Sequence, residues 1–277
     1  MKFTKPFPRK HSCESRSRNA YFRQSVEPIE IAISIGGGFV AGVINTLAGS
    51  GSVITLAILT ELLGLPGGVA NGTNRIGVAL QTISSSVTFQ KAKILTWKEQ
   101  ARPLVLMVLG AFLGIALALN ISNEQFMDVF KYMVVALFFV LLIKPKRWIH
   151  PEEDKPKWPR PILDLSLFCL GIYGGFIQMG MGIFFLAIAV IGGRMPLLKA
   201  NVIKVLAIGI YTIPAIIFFA FDGKVHWLYG STIGIGQLAG GWITARYAVK
   251  FPNINTYAYY ALVLAVALSL LSLFDIL

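Results

Sequence analysis

Two short stretches decide how the chain is read: Asn45–Ser52, NTLAGSGS, and Leu65–Arg75, LPGGVANGTNR. Both are rich in Gly, Asn, Ser and Thr, and the second ends on an arginine. Both lie inside strongly hydrophobic sequence. In a soluble protein they would be loops. In a bilayer, interrupted backbone and polar side chains are costly and persist where they line a binding site or lie buried in protein.

Composition selects the bilayer. Of 277 residues, 55% are hydrophobic and 14% charged, against about 25% charged in soluble domains. The runs 132–143 and 257–271 carry no charge at all. The period-2 alternation of a membrane barrel is absent. The reading is an all-α polytopic membrane protein. The net charge of +12 is concentrated in the first 28 residues and a few loops. That distribution orients a membrane protein and does not form a nucleic-acid stripe, so no nucleic-acid partner is expected. Cys13 and Cys169 are far apart, and His11, His150 and His226 are isolated, so neither metal nor cofactor is expected. No nucleotide-binding GxxxxGK[ST] or HExxH motif occurs, and the chain is not read as an enzyme.

Apolar segments fall at 29–48, 52–65, 69–90, 102–119 and 126–144, and again at 162–179, 182–193, 198–221, 226–248 and 256–274. The proline-rich stretch between the two sets ends the fifth segment. The organisation is therefore a basic tail (1–28) with no cleavable signal, a first repeat (29–144), a linker (145–161) and a second repeat (162–277). Adding 130 to a position often returns the same residue: Pro66 and Pro196, Ala70-Asn71 and Ala200-Asn201, Thr82 and Thr212, Phe89 and Phe219, Trp97 and Trp227, Gly110 and Gly240. Each repeat holds about five segments, for 8–10 spans in all. Segments 52–65 and 182–193 are short of the roughly 20 residues a span needs. Each follows a glycine-rich break, Gly49-Ser50-Gly51 and Gly180-Met181-Gly182. Paired broken helices in two repeats point to the binding site of a transporter.

Lys and Arg in the loops favour inverted repeats. If every segment changes sides, or each short pair forms a re-entrant hairpin, the loops split 14 to 1. If each short pair makes one crossing, giving parallel halves, they split 11 to 4. Counting the tail reverses the preference, to 14 to 8 against 18 to 4. Short loops orient best, so the inverted arrangement is taken.

A helix starting after Gly51 or Gly182 would aim backbone N–H groups into its break, and Ser50, Ser52 and Gln178 would add polar side chains. Arg75 lies near the start of the third segment, and Lys204 sits at the position matching Asn74. An intramembrane cation without an acidic neighbour on its helix is an anion ligand, unless it snorkels to an interface. Asn45, Asn71 and Asn74 are further donors, or helix caps. Most acids lie in loops or at segment ends; Glu61 and Asp164 are the ones read as lying inside spans, both close to an end, so no mid-span proton relay is written here.

At these residues the chain resembles the TauE/SafE family of sulfite and organosulfonate exporters. The likeness rests on Gly38-Phe39 with Gly49-Ser50-Gly51, on Gly175-Phe176 with Gly180-Met181-Gly182, on Pro66, Ala70-Asn71, Pro196 and Ala200-Asn201, and on Lys93, Trp97, Lys224 and Trp227. The resemblance implies a secondary transporter that exports small sulfur-containing anions as a multi-pass protein of the inner (plasma) membrane. Ser52 departs from the family's commonest form, in which a third glycine often stands there. The expected partners are a small anionic solute and the lipid bilayer, with homo-oligomerisation left open. An anion channel and a non-transport intramembrane protein are the alternatives.

Overall fold

The computed structural model describes residues 27–47, 49–91, 97–142, 158–195 and 197–247, with a few positions between 260 and 271. Among these, all regular structure is helical, as composition requires. Nine helices follow in order: α1 (Pro28–Leu47), α2 (Ser52–Ala57), α3 (Gly67–Lys91), α4 (Trp97–Asn120), α5 (Asn123–Leu142), α6 (Arg160–Phe176), α7 (Met181–Leu186), α8 (Leu197–Phe221) and α9 (Trp227–Tyr247). The short helices α2 and α7 each run on into one wider π-helical turn, Ile58–Leu62 and Ala187–Gly192. Such turns are rare and cluster at functional sites. The order long, short, long, long therefore occurs twice, at the boundaries the hydrophobic segments indicate. Most of the tenth segment and most of the linker lie outside the described residues, as do Pro196 and the side chain of Trp97.

Three of the helices are long and apolar enough to cross a bilayer by composition alone: Pro28–Leu47, Ala101–Asn120 and Lys199–Phe221. Apolar side chains face outward from the long helices, among them Leu109, Leu113 and Leu117 on α4 and Ile210, Ile213 and Ile217 on α8. Asn, Gln, Thr, Arg and Lys side chains lie inside. Outward apolar faces over a polar interior are the arrangement a hydrocarbon solvent demands.

Helix directions follow from which residues meet. Cβ atoms built on Gly38 and Gly42 of α1 would strike the carbonyls of Ile233 and Gln237 of α9, and those on Gly236 and Gly240 would strike Ile35 and Phe39. Numbers rise together, so α1 and α9 are parallel and their backbones touch. On α4, Gly110 and Gly114 abut the carbonyls of Phe168 and Ile172 of α6 in the same way. Without a hydrophobic drive between helices in lipid, such small-residue faces are what hold them together. Helix α3 also runs with α9, since Gly230 meets Ile76 and Gly241 meets Gln81. It runs against α8, since Gly209 meets Thr82 while Gly72 meets Phe219.

The short helices double back. Gly51 lies on Ala41 and Gly37 on Ile58, so α2 returns along α1. One end of the molecule then gathers 64–68, 119–123 and 222–226: the Gly68 N–H donates to Asn123 Oδ1 at 3.0 Å, and Lys224 Nζ donates to the Leu119 carbonyl at 2.9 Å. The other end gathers the linker's last residues and 192–195, with Trp158 N–H donating to the Gly192 carbonyl at 2.9 Å. Arg102 of α4 also pairs with Asp164 of α6 there.

Candidate functional site

The two breaks meet. After α1 the chain turns at Gly49, whose φ is +79°, and after α6 it turns through Gln178 and Gly180, at +62° and +66°. The Gly182 N–H donates to the Gly49 carbonyl at 3.0 Å. A Cβ on Gly182 would sit 2.4 Å from Gly49 Cα, so neither position admits a side chain at this contact. The hairpins α1–α2 and α6–α7 therefore touch tip to tip. Both tips lie beside α3: break one faces Gln81, near its middle, through Asn45, and break two faces Asn71 and Arg75 in its first turns.

Backbone N–H groups that the sequence suggested would face a ligand are partly engaged by the protein. Val53 and Ile54 donate to the carbonyls of Ser50 and Gly51, Gly182 to Gly49, and Ile183 to Gly180. Among the described residues, the breaks also hold buried side-chain atoms without partners: Ser50 Oγ, Asn74 Nδ2 and Arg75 Nε.

Arg75 is fully buried. Its Nη1 donates to the Gly174 carbonyl at 2.9 Å and to Gln178 Oε1 at 3.0 Å. Its Nη2 donates to the carbonyls of Gly175 (2.8 Å) and Phe176 (3.3 Å) and to Asn71 Oδ1 (3.3 Å). The guanidinium lies 5.7 Å from the centre of the Phe219 ring. Arg75 thus caps the C-terminus of α6, whose last carbonyls have no partner in their own helix and carry the negative end of its dipole. Asn71 helps, with Nδ2 donating to the Phe176 carbonyl at 2.8 Å. Only Nε of the guanidinium is left without a partner.

Lys204 is 1% exposed, and its Nζ donates to Asn201 Oδ1 at 2.8 Å. An ammonium has three donors, so most of its capacity is unspent. Asn74 accepts from Thr55 Oγ1 of α2, while its own Nδ2 has no partner. Ser50 is fully buried with its Oγ unpartnered, and Ser52 is buried beside it in the chain. Asn45 stands in a separate network: its Nδ2 donates to Gln81 Oε1 at 2.7 Å, and Gln81 Nε2 donates to Thr46 Oγ1 at 2.9 Å.

The structure accordingly joins Asn71, Arg75 and Gln178 directly, joins Gly49 to Gly182, and links Asn74 to α2. It puts Asn45 with Gln81 and Lys204 with Asn201. Sequence reasoning passed over Thr55, Gln81, Thr212 and Gln237. Thr212 Oγ1 accepts from Gln178 Nε2 at 3.2 Å. Gln237 is fully buried on α9, with both amide atoms unpartnered. An amide inside an apolar segment was the available signal for Gln81 and Gln237.

A profile of the family described as "Sulfite exporter TauE/SafE" matches residues 34–270, which take in both hairpins and every helix that packs on them. The chain belongs to the TauE/SafE family. Relatives of this TauE/SafE protein include "Probable membrane transporter protein ORF9" of Sinorhizobium sp, 28% identical over 214 residues (76% of this chain, 80% of that one). "Probable membrane transporter protein YfcA" of Escherichia coli K12 is 25% identical over 223 residues, 80% of this chain and 81% of its own. A "Probable membrane transporter protein" of Haemophilus influenzae is 27% identical over 211 residues, 76% of this chain and 81% of its own. No solved structure matches. Family and apolar helices together make this a membrane protein of a transporter family.

Proposed function

We propose that the chain is a secondary transporter, not an enzyme, that exports small sulfur-containing anions of the sulfite and organosulfonate type across the inner (plasma) membrane, which it crosses several times. One observation carries the reading. Among the described residues, the unpartnered buried side-chain atoms of Ser50, Asn74 and Arg75 at the breaks can all donate, with Lys204 holding donors in reserve, while the unpartnered amide of Gln237 on α9 offers both a donor and an acceptor. A set of donors and two buried cations is complementary to an oxyanion and repels a metal cation.

The fold is read as two inverted repeats, 29–144 and 162–277, joined by 145–161 and preceded by the basic tail. Support comes from the repeated helix order and from direction: α1 and α3 run opposite to α6 and α8. Each hairpin enters and leaves by one side. The tip contact at Gly49 and Gly182 closes the route between them, so passage requires one repeat to move against the other. The family name supports sulfite as substrate and export as direction, while the relatives' names support transport alone.

Thermal shifts on the purified protein test this. Sulfite, sulfoacetate, sulfate and chloride are compared on wild type, Ser50→Ala and Lys204→Gln. The expected result is saturable stabilisation by sulfite or sulfoacetate, about 2.7 kcal/mol at a hundredfold excess over Kd, and weaker in both variants. No response to any anion, or a response indifferent to both substitutions, would overturn the site. An anion channel would instead show flux that never saturates.

A further inference from the structure

The neutral-loop end of the molecule holds a titratable cluster that the transport reading does not use. His226 is the residue before α9 and is 7% exposed. Its Nδ1 accepts the Tyr229 N–H at 3.3 Å, so the imidazole caps the first turn of α9. Its backbone N–H donates to Thr73 Oγ1 of α3 at 2.9 Å. The imidazole stacks on the Tyr229 ring, with centres 4.4 Å apart. Tyr229 in turn donates its hydroxyl hydrogen to Glu30 Oε2 of α1 at 2.9 Å. One histidine thus ties together the starts of α9 and α1 and the stretch of α3 that carries Asn71, Asn74 and Arg75.

The cap works in one protonation state. A neutral imidazole can present the Nδ1 lone pair to the Tyr229 N–H, whereas an imidazolium presents two N–H donors and no acceptor. Protonation would set Nδ1–H against Tyr229 N–H, at the positive end of the α9 dipole.

We propose that His226 is a proton-operated latch: the neutral ring holds the start of α9 against Thr73 of α3, and the protonated ring releases it. The charged and titratable groups around it among the described residues are Glu30 from α1, Tyr229 from α9, the Asp222–Lys224 pair of its own loop (2.8 Å), and Arg75 half a turn along α3 from Thr73. Glu30 and the Tyr229 ring face favour the imidazolium. Burial and the helix dipole oppose it. Burial prevails and holds the imidazole below the usual histidine range, with the backbone and Glu30 pulling the other way. With the folded value depressed, the contribution to stability is present above the unfolded value of about 6.5 and lost as pH falls below it. Since Thr73 lies between Asn71 and Arg75, the proton is felt beside the second break. The latch stands on the fold alone and is independent of which solute crosses.

Hydrogen–deuterium exchange on the full chain in detergent tests it. Peptides covering 71–76 and 227–232 are compared at about pH 7.5 and about pH 5.5, with exchange corrected for its intrinsic pH dependence. Wild type should exchange about three- to tenfold faster at the lower pH. His226→Asn, whose amide oxygen caps without titrating, should show no pH step. His226→Ala should exchange fast at both. A flat wild type overturns the latch. So does an equal step in His226→Asn, which would place the sensor elsewhere, at Glu30 first.

Discussion

At the level of single residues, Arg75 shows how far sequence carries. Its oddity was plain: a cation in apolar sequence with no acid on its helix. Its partners were not, because Gly174, Gly175 and Phe176 lie about a hundred positions away and contribute backbone oxygens, which leave no compositional trace. Arg75→Ala would strip the Gly174 and Gly175 carbonyls and Gln178 Oε1 of this donor, leaving Phe176 to Asn71, each buried charged hydrogen bond being worth about 1.5–3 kcal/mol. We expect a loss of about 3 kcal/mol or more in thermal or denaturant stability of the detergent-purified protein. Arg75→Lys should recover part of it, as a single ammonium cannot serve five acceptors in a fork. Anion binding is therefore better probed at Lys204 and Ser50. Gly49 and Gly182 tell the reverse story. Their role as breaks was legible, but their mutual contact was not, since nothing local says that two turns will touch. Gly182→Ala must push the tips apart and should lower stability by about 1–3 kcal/mol in the same assay.

Among the elements, the helices themselves were the most legible feature. Hydrophobic segments and observed helices agree at nearly every boundary, because in lipid the backbone must satisfy itself within the segment and length is set by the bilayer. What the segments did not reveal was which helices pair. The glycines of α1 and α9, and of α4 and α6, are spaced about four apart, a pattern that says a helix has a flat face without naming the face it meets. Gly114 of α4 lies on the Ile172 carbonyl. Gly114→Leu should force α4 from α6 and lower the melting temperature sharply, while Leu113→Ala on the outward face of α4 should leave it nearly unchanged. Parallel melting curves decide this. Equal effects would mean that the small-residue face does not hold the pair.

For the whole molecule, loop charge and the directions of the described helices both support the proposed inverted arrangement. Among the described residues of the basic loops, Arg102, Arg160, Arg194 and Arg246 fall at the end where Trp158 meets Gly192. The neutral loops 65–70, 120–125 and 222–226 fall at the end where Gly68 meets Asn123, while the two breaks meet each other inside the molecule. Lys224, in loop 222–226, is paired with Asp222 and donates to the Leu119 carbonyl. Glu30 and Tyr229 tie the start of α1 to that same end. Single cysteines at Gly64 and Asn120 should react with an impermeant thiol reagent from one side of sealed vesicles, and cysteines at Trp158 and Arg194 from the other. A mixed pattern would break the inverted arrangement.

The pairing of α1 with α9 also bears on how the protein is made. When α1 leaves the ribosome, the helix that will cover Gly38 and Gly42 has not been synthesised. The stretch 48–226 separates the two. The first half therefore waits in the membrane with its flattest face against lipid. The finished form is reached only when the last helices arrive to close over the first, so a chain cut short after α8 would leave α1 permanently without its seat.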